Sequence, residues 1–119
     1  MTNFSLLQGI KLAKRGIHNY ITNRPLVVSF EVTLSCNCNC RHCDLGGIIK
    51  DEKQLKPADY GNLTRLLKPP AVQISGGEPL LRKDIVDVVK AIKQSDGLPY
   101  LILVTNGVLL TESNYLQLH

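Results

Sequence analysis

Residues 26–43 of this 119-residue chain read LVVSFEVTLSCNCNCRHC, an apolar segment that runs directly into four cysteines. The apolar part, Leu26 to Leu34, is rich in valine, phenylalanine and threonine, and we predict a β-strand there. All four cysteines of the chain lie between residues 36 and 43. Disulfide frameworks usually tie distant segments together, so this crowding indicates a metal or cluster site instead.

Helices and strands alternate on both sides of this segment. Residues 4–21 form a predicted amphipathic helix, and Arg24-Pro25 ends it because the residue before a proline disfavours helix. Its apolar stripe consists of Leu6, Ile10, Ala13, Ile17 and Ile21. Downstream, the pattern predicts a helix from Pro57, a strand over Ala71 to Ser75, a helix after Asp84, a strand over Tyr100 to Thr105 and a last helix opened by Thr111.

Two of these helices have a predicted buried face. The face of the helix that begins with Pro57 is expected to be Tyr60, Leu63, Leu66 and Leu67. The face of the helix that follows is expected to be Ile85, Val88, Val89 and Ile92. Asp84 immediately precedes this second helix and is its predicted N-cap.

The chain is therefore predicted to be an α/β protein, with one helix followed by three strand–helix units. Near-continuous apolar runs such as Leu101 to Val104 favour a parallel sheet buried on both faces, with right-handed crossovers. We divide the chain into an N-terminal amphipathic helix, residues 1–25, and a βα segment, residues 26–119.

Three unusual loops each follow a predicted strand. The cysteines follow the first strand, Gly-Gly-Glu-Pro (76–79) follows the second, and Thr-Asn-Gly (105–107) follows the third. In a parallel βα sheet all strands end at the same side, and ligands bind in the loops there. We therefore expect the three loops to meet at one pocket. Taken alone, each glycine loop also fits an ordinary turn after a strand.

Cys36, Cys40 and Cys43 have the spacing C-x3-C-x2-C, short enough for one loop to place three thiolates around one centre. Iron–sulfur clusters are normally held by four thiolates, so three leave one iron of a 4Fe–4S cluster open to an outside ligand. The alternative is a zinc site that also uses Cys38. Zinc sites usually take paired C-x2-C hooks from two segments, so this compressed run is a poor match.

The glycine loop has properties that suit a bound ligand. Gly76 and Gly77 let the backbone approach a bound group closely. Glu78 provides a carboxylate for a cationic group, and Pro79 stiffens the turn. Because they follow an apolar strand and are expected to lie beside the cysteine loop, these four residues are predicted to bind a cofactor.

Residues 36–43 and 76–79 together resemble the radical S-adenosylmethionine (SAM) superfamily, in particular members that mature peptides and cofactors. Residues 79–82, Pro-Leu-Leu-Arg, and the strand-terminal Thr-Asn-Gly are similar to those members too. The resemblance extends from Leu26 to the end of the chain. It implies a partial TIM-like βα barrel of roughly six units, of which this chain contains about three, as the N-terminal portion of a truncated core domain.

By this resemblance Cys36, Cys40 and Cys43 each bind one iron, and the amino and carboxylate groups of SAM chelate the fourth. Cys38 matches a variable position and is interpreted as a spectator thiol. Glu78 is the expected partner of the SAM ammonium group. The residues expected to contact SAM or the substrate are His42, Gly76, Gly77, Glu78, Pro79, Thr105 and Asn106.

The resemblance implies a radical SAM enzyme. In such an enzyme the reduced cluster passes an electron to the sulfonium of SAM, and the resulting 5′-deoxyadenosyl radical abstracts hydrogen from a substrate, here unidentified. The expected partners are an electron donor such as flavodoxin or ferredoxin and a partner or missing segment that completes the barrel. The alternatives are a truncated cluster-binding or interaction module without independent turnover, and a ferredoxin-like electron carrier.

Composition argues against two other classes of protein. The net charge is +4, but the basic residues are spread along the chain and only 5% of residues are aromatic, so we expect no nucleic-acid partner. No stretch approaches the roughly 20 apolar residues of a membrane span. Gln8, Lys11, Lys14 and Arg15 interrupt the apolar block that a signal peptide needs. We therefore expect no membrane partner and a cytoplasmic location.

Overall fold

The structure of the chain is a computed structural model that describes residues 4–94 and 97–118. Within these ranges the helices are α1 (Leu6–Ile21), α2 (Pro57–Leu67), α3 (Ile85–Ile92) and α4 (Glu112–Leu118). The strands are β1 (Val27–Glu31), β2 (Ala71–Ser75) and β3 (Tyr100–Leu103), and a short 3-10 turn, Pro79–Leu81, follows β2. The predicted segments 1–25 and 26–119 include residues 1–3, 95, 96 and 119, which lie outside the described residues.

The three strands form one parallel sheet in the order β1-β2-β3, as predicted. Two strands are shorter than the sequence indicated. β1 ends at Glu31 rather than Leu34 because its partner β2 ends at Ser75, where the chain turns at Gly76. β3 ends at Leu103 rather than Thr105, because Leu103 pairs with Ile74 and β2 itself ends one residue later, at Ser75.

Helices cover one face of the sheet and build the core against it. Phe30 of β1 and Val72 and Ile74 of β2 point to this face, and the rings of Phe30 and Tyr60 of α2 meet edge to face with centroids 5.2 Å apart. From α3 the core receives Ile85, Val88, Val89 and Ile92, which confirms the predicted face of that helix.

The opposite face of the sheet differs from the prediction that both faces are buried. The strand positions that alternate with the core residues are half polar and half apolar, and several of the apolar ones are exposed. The polar positions are Ser29, Glu31, Gln73 and Ser75, with the Ser29 and Ser75 hydroxyls 3.3 Å apart, and the apolar positions are Val27, Ala71, Tyr100 and Ile102. In a closed βα barrel this face becomes the interior, and its polar positions lie toward the carboxyl ends of β1 and β2, where ligands bind.

The buried face of α2 is not the one predicted. Tyr60 is buried, but Leu63 is exposed and Leu66 is 72% exposed, whereas Gly61 and Thr64 face the core. Gly61 permits α3 to pack closely, because a Cβ at this position would lie only 2.7 Å from the Ala91 carbonyl oxygen. Small residues therefore make the contact that the apolar pattern assigned to leucines.

Helix α1 is fixed by polar contacts rather than by its apolar stripe. Ser5 caps it, since the Ser5 hydroxyl accepts from Gln8 N and the Gln8 side chain accepts from Ser5 N. The buried Asn19 amide donates to the carbonyl oxygens of Pro25 (2.8 Å) and Lys68 (3.0 Å). None of the helices within residues 4–94 and 97–118 combines the length and the hydrophobicity that a transmembrane span needs.

Arg82 is a buried cation that joins four segments. Its guanidinium donates to the carbonyl oxygens of Val32 (2.9 Å) and Leu55 (3.0 Å) and to the Tyr60 hydroxyl (3.2 Å). It also donates to both carboxylate oxygens of Asp84 at 2.8 Å. Asp84 is the N-cap residue of α3, as predicted, but its side chain makes no capping hydrogen bond because Arg82 occupies both of its carboxylate oxygens.

The Arg82 hydrogen bonds hold the pKa of Asp84 below its ordinary value. The Arg82–Asp84 pair therefore stabilises the folded state fully above about pH 3.9, the ordinary pKa of aspartate. This stabilisation is lost as the pH falls through the lowered pKa of Asp84. We expect the stability difference between wild type and Asp84→Asn, measured by urea unfolding, to shrink between about pH 6 and about pH 2. A difference that stays constant over this range would contradict the assignment.

Candidate functional site

The loops that follow the three strands meet at one edge of the sheet, as their order along the chain indicated. The backbone N–H of Gly77 donates to the Thr33 carbonyl oxygen at 2.8 Å, and that of Glu78 donates to the Ser35 carbonyl oxygen at 2.9 Å. The Thr105 hydroxyl in turn donates to the Glu78 carboxylate. The loop after β2 thus lies between the cysteine loop and the loop after β3.

Positions 76 and 77 require glycine because the backbone of another segment of the chain lies directly against them. Gly76 has a φ of +130°, and a Cβ there would lie 2.2 Å from the Thr33 carbonyl oxygen. A Cβ on Gly77 would lie 2.2 Å from the Ser35 carbonyl oxygen. The sequence interpretation assigned this close approach to a ligand, but in the structure the backbone that precedes Cys36 occupies the space.

Glu78 is completely buried and links two loops. One carboxylate oxygen accepts from Leu80 N (3.0 Å) and from the Thr105 hydroxyl (2.7 Å), and the other accepts from Asn106 N (2.8 Å). Three hydrogen bonds from the chain satisfy a buried carboxylate. These contacts give Glu78 a role in joining the loops after β2 and β3, and its expected contact with a cationic ligand stays a prediction.

The hydrogen bond from the Thr105 hydroxyl to the Glu78 carboxylate can be tested directly by substitution of Thr105. We expect Thr105→Val, similar in shape but without the hydroxyl, to lower the free energy of unfolding by about 2 kcal/mol, because it leaves a buried charged acceptor short of one donor. Thr105→Ser keeps the hydroxyl and is the matched control. Chemical unfolding curves measure both, and a Thr105→Val chain as stable as Thr105→Ser would show that the hydrogen bond is unimportant.

Asn106 connects the loop after β3 to the cysteine loop. Its amide nitrogen lies 2.8 Å from the Asn37 side-chain oxygen and 3.3 Å from the Cys38 sulfur, and it donates to both. Desolvation of the half-buried Cys38, followed by its proximity to Cys36, Cys40 and Glu78, raises the pKa of this thiol above its ordinary value. Cys38, interpreted as a spectator, therefore has a contact across the site that the sequence did not reveal.

The cysteine loop is anchored at its first cysteine and exposed at the others. Cys36 is buried, and its N–H donates to the Gly47 carbonyl oxygen at 2.8 Å. Cys40 and Cys43 are exposed and belong to one turn, in which Cys43 N donates to the Cys40 carbonyl oxygen at 3.2 Å. His42, between them, is also exposed. All four cysteines are free thiols.

The donor set suits an iron–sulfur cluster by its chemistry, since three free thiols lie within eight residues of one loop. In the part of the chain that the structure describes, however, no three cysteine, histidine or carboxylate side chains are grouped so as to hold a metal ion.

Glu52 is a residue of the site that the sequence analysis missed. It lies downstream of the cysteines, and its carboxylate accepts from the Thr33 hydroxyl at 2.6 Å and from Leu34 N at 2.5 Å. Partial burial raises the pKa of Glu52, but hydrogen bonds from Thr33, Leu34, Gln54 and Ser35 outweigh it and hold the pKa below its ordinary value. Glu52 is therefore ionised near neutral pH and tied to the segment that leads into Cys36.

Comparison with known proteins agrees with this geometry. The family model described as Radical SAM superfamily matches residues 30–118. A probable GTP 3′,8-cyclase of Methanothermobacter marburgensis is 39% identical over 93 residues, which are 75% of this chain and 30% of that protein. An AdoMet-dependent heme synthase of Methanosarcina barkeri is 31% identical over 99 residues, 76% of this chain and 27% of that protein.

A solved structure shares the fold. Streptococcus suis SuiB, crystallised with the precursor peptide SuiA, superimposes with a TM-score of 0.66 at 22% identity, covering 88% of this chain and 25% of the SuiB chain. The chain thus spans about 30% of the length of the first curated relative that it matches. Its parallel sheet and helices form part of a TIM-like βα barrel. With the family model matching residues 30–118, the chain belongs to the radical SAM superfamily.

Proposed function

We propose that this chain binds a 4Fe–4S cluster through Cys36, Cys40 and Cys43 and binds SAM at the iron that these thiolates leave open. The observation that carries the proposal is the position of the C-x3-C-x2-C loop: it follows β1 and contacts the loops after β2 and β3 in a chain of this superfamily. When bound, the cluster and SAM supply a one-electron cleavage of SAM that generates a 5′-deoxyadenosyl radical.

The chain's own residues have separate tasks in this proposal. Cys36 is the buried and anchored ligand of the set, whereas Cys40 and Cys43 are the exposed ones. Hydrogen bonds from residues 77 and 78 keep the loop after β2 against the base of the cysteine loop. The residues that we propose to contact SAM or the substrate are His42, Gly76, Gly77, Glu78, Pro79, Thr105 and Asn106.

The polar side chains toward the carboxyl ends of β1 and β2 support a polar substrate. Glu31, Gln73 and two serines line the side that faces the interior of a completed barrel. The proposed reaction is hydrogen abstraction from a substrate held against this face. An electron donor such as flavodoxin or ferredoxin would reduce the cluster, and further barrel units or a partner would close the pocket. Free thiols and a reducible cluster favour the cytoplasm as the location.

The division into residues 1–25 and 26–119 is part of the same proposal. The family match begins at residue 30, which lies after α1 and within β1. On this division α1 is an addition to the core domain, attached to it by Asn19.

The test is anaerobic reconstitution with iron and sulfide, followed by reduction and incubation with SAM. We expect about four iron and about four sulfide per chain, and release of 5′-deoxyadenosine and methionine measured by chromatography. A complete cluster without SAM cleavage would favour the second candidate, a cluster-binding module without independent turnover. Stoichiometric zinc with no iron–sulfur cluster would overturn both.

A further inference from the structure

The backbone that leads from β1 into Cys36 is held from two sides. On one side, the loop after β2 donates from Gly77 N and Glu78 N to the carbonyl oxygens of Thr33 and Ser35. On the other side lies the return limb of the cysteine loop, residues 47–54. This segment is therefore fixed more firmly than the exposed turn that carries the other two cysteines.

A single carboxylate makes most of the contacts on the second side. One Glu52 oxygen accepts from Leu34 N at 2.5 Å, and the other accepts from the hydroxyls of Thr33 (2.6 Å) and Ser35 (3.3 Å). Three consecutive residues, the ones immediately before Cys36, thus donate to one side chain. Hydrogen bonds to a charged acceptor are roughly twice as strong as neutral ones, so this is the strongest polar contact that the segment makes with the return limb.

Neighbouring groups extend the contact along the return limb. The Gln54 amide donates to Glu52 at 2.9 Å and lies 3.3 Å from the Thr33 hydroxyl oxygen. The Ser35 hydroxyl accepts from Ile49 N at 3.0 Å while it donates to Glu52. Together with the Cys36 N–H donated to Gly47, these bonds tie the end of the cysteine loop to its beginning.

We propose that Glu52 is a positioning residue for the iron–sulfur site. Its carboxylate fixes residues 33–35 and so holds Cys36, which follows them directly, in position as a ligand of the cluster. The inference rests on the proposed function, because it gives Glu52 a task toward the cluster that the three cysteines hold. Glu52 contacts neither iron nor SAM in this account; it acts through the backbone of Cys36.

Glu52→Gln tests the proposal, since glutamine has the same size but only one acceptor oxygen for the four donors, Thr33, Leu34, Ser35 and Gln54. Asp59→Asn is the matched control: Asp59 also accepts a backbone N–H, from Lys56 at 2.9 Å, but it serves α2 and needs one oxygen only. Both variants are reconstituted, iron release to a chelator is timed, and the reduced cluster is recorded by electron paramagnetic resonance. We expect release from Glu52→Gln to be about ten- to a hundredfold faster than from wild type, with altered g values.

The Asp59→Asn control and a second variant distinguish failure of this inference from failure of the proposed function. Wild-type release and spectrum in Glu52→Gln, with a wild-type cluster present, would overturn the inference and leave the proposed function intact. Equally fast iron release from Asp59→Asn would also overturn the inference, because a general destabilisation of the chain would then explain both variants. A wild-type chain that forms no cluster refutes the proposed function itself. If Glu52→Gln does not fold, Thr33→Val removes one donor and is expected to give a smaller acceleration of the same kind.

Discussion

Replacing Gly77 with alanine is expected to prevent the cluster site from forming and to lower the free energy of unfolding by about 3 kcal/mol or more. The added Cβ would lie 2.2 Å from the Ser35 carbonyl oxygen, 2.6 Å from the Ser35 carbonyl carbon and 2.9 Å from the Leu34 carbonyl oxygen. All three are backbone atoms, so no flexible side chain can move aside. The loop after β2 must then separate from the segment that precedes Cys36, and the hydrogen bond from Glu78 N to Ser35 is lost.

Gly16→Ala is the matched control for this substitution. Gly16 lies inside α1, and a Cβ there would have no atom within 4 Å. Alanine in a helix interior is better than glycine by about 1 kcal/mol, so this variant is expected to be more stable than wild type. Urea unfolding followed by circular dichroism measures both, and iron incorporation measures the site. A Gly77→Ala chain that matches Gly16→Ala in stability and iron content would refute the close packing described here.

Alanine at Cys36, Cys40 or Cys43 is expected to abolish the cluster, whereas alanine at Cys38 leaves it in place. Each of the three proposed ligands holds one iron, and removing one leaves too few thiolates to retain the cluster. Cys38 instead accepts a hydrogen bond from the Asn106 amide across the site. Iron and sulfide content per chain and the visible absorption of the reconstituted protein measure the effect.

The same cysteine substitutions distinguish an iron–sulfur cluster held by three cysteines from a zinc site held by four. A four-cysteine zinc site would lose its metal in the Cys38→Ala variant as readily as in the others. Cys38→Ser serves as the control, because a hydroxyl still accepts the Asn106 hydrogen bond but is a poor metal ligand. Loss of iron in both Cys38 variants would contradict the assignment of three ligands and require all four cysteines.

The sequence predicted the elements whose packing follows a local period. Ile85, Val88, Val89 and Ile92 of α3 recur at helical spacing and are buried, and Ala71–Ser75 forms the predicted strand. Sequence-based prediction was wrong where a close contact between two elements decides which residues are buried. The buried face of α2 includes Gly61 because α3 packs directly against it, and no apolar pattern marks such a contact. Asp84 is the N-cap residue of α3 as predicted, but its pairing with Arg82, which takes the place of a capping hydrogen bond, is apparent only in the folded geometry.

In the candidate site, too, the local features could be predicted from the sequence and the long-range contacts could not. Cysteine spacing and the glycine loop are local features, so Cys36, Cys40, Cys43 and residues 76–79 were proposed from sequence alone. The bonds that hold the site together join distant residues. Asn106 meets Cys38 across 68 positions of the chain, and Glu52 meets Thr33 across 19. Neither contact has a spacing or a residue pattern that sequence reasoning can detect.

The central claim is that three thiolates leave one iron of the cluster open for SAM. The most direct test is the electron paramagnetic resonance spectrum of the anaerobically reconstituted and reduced protein, recorded with and without SAM. The account predicts a 4Fe–4S signal whose g values change when SAM is added, because SAM becomes a ligand of that iron. A cluster whose spectrum is identical with and without SAM would contradict it.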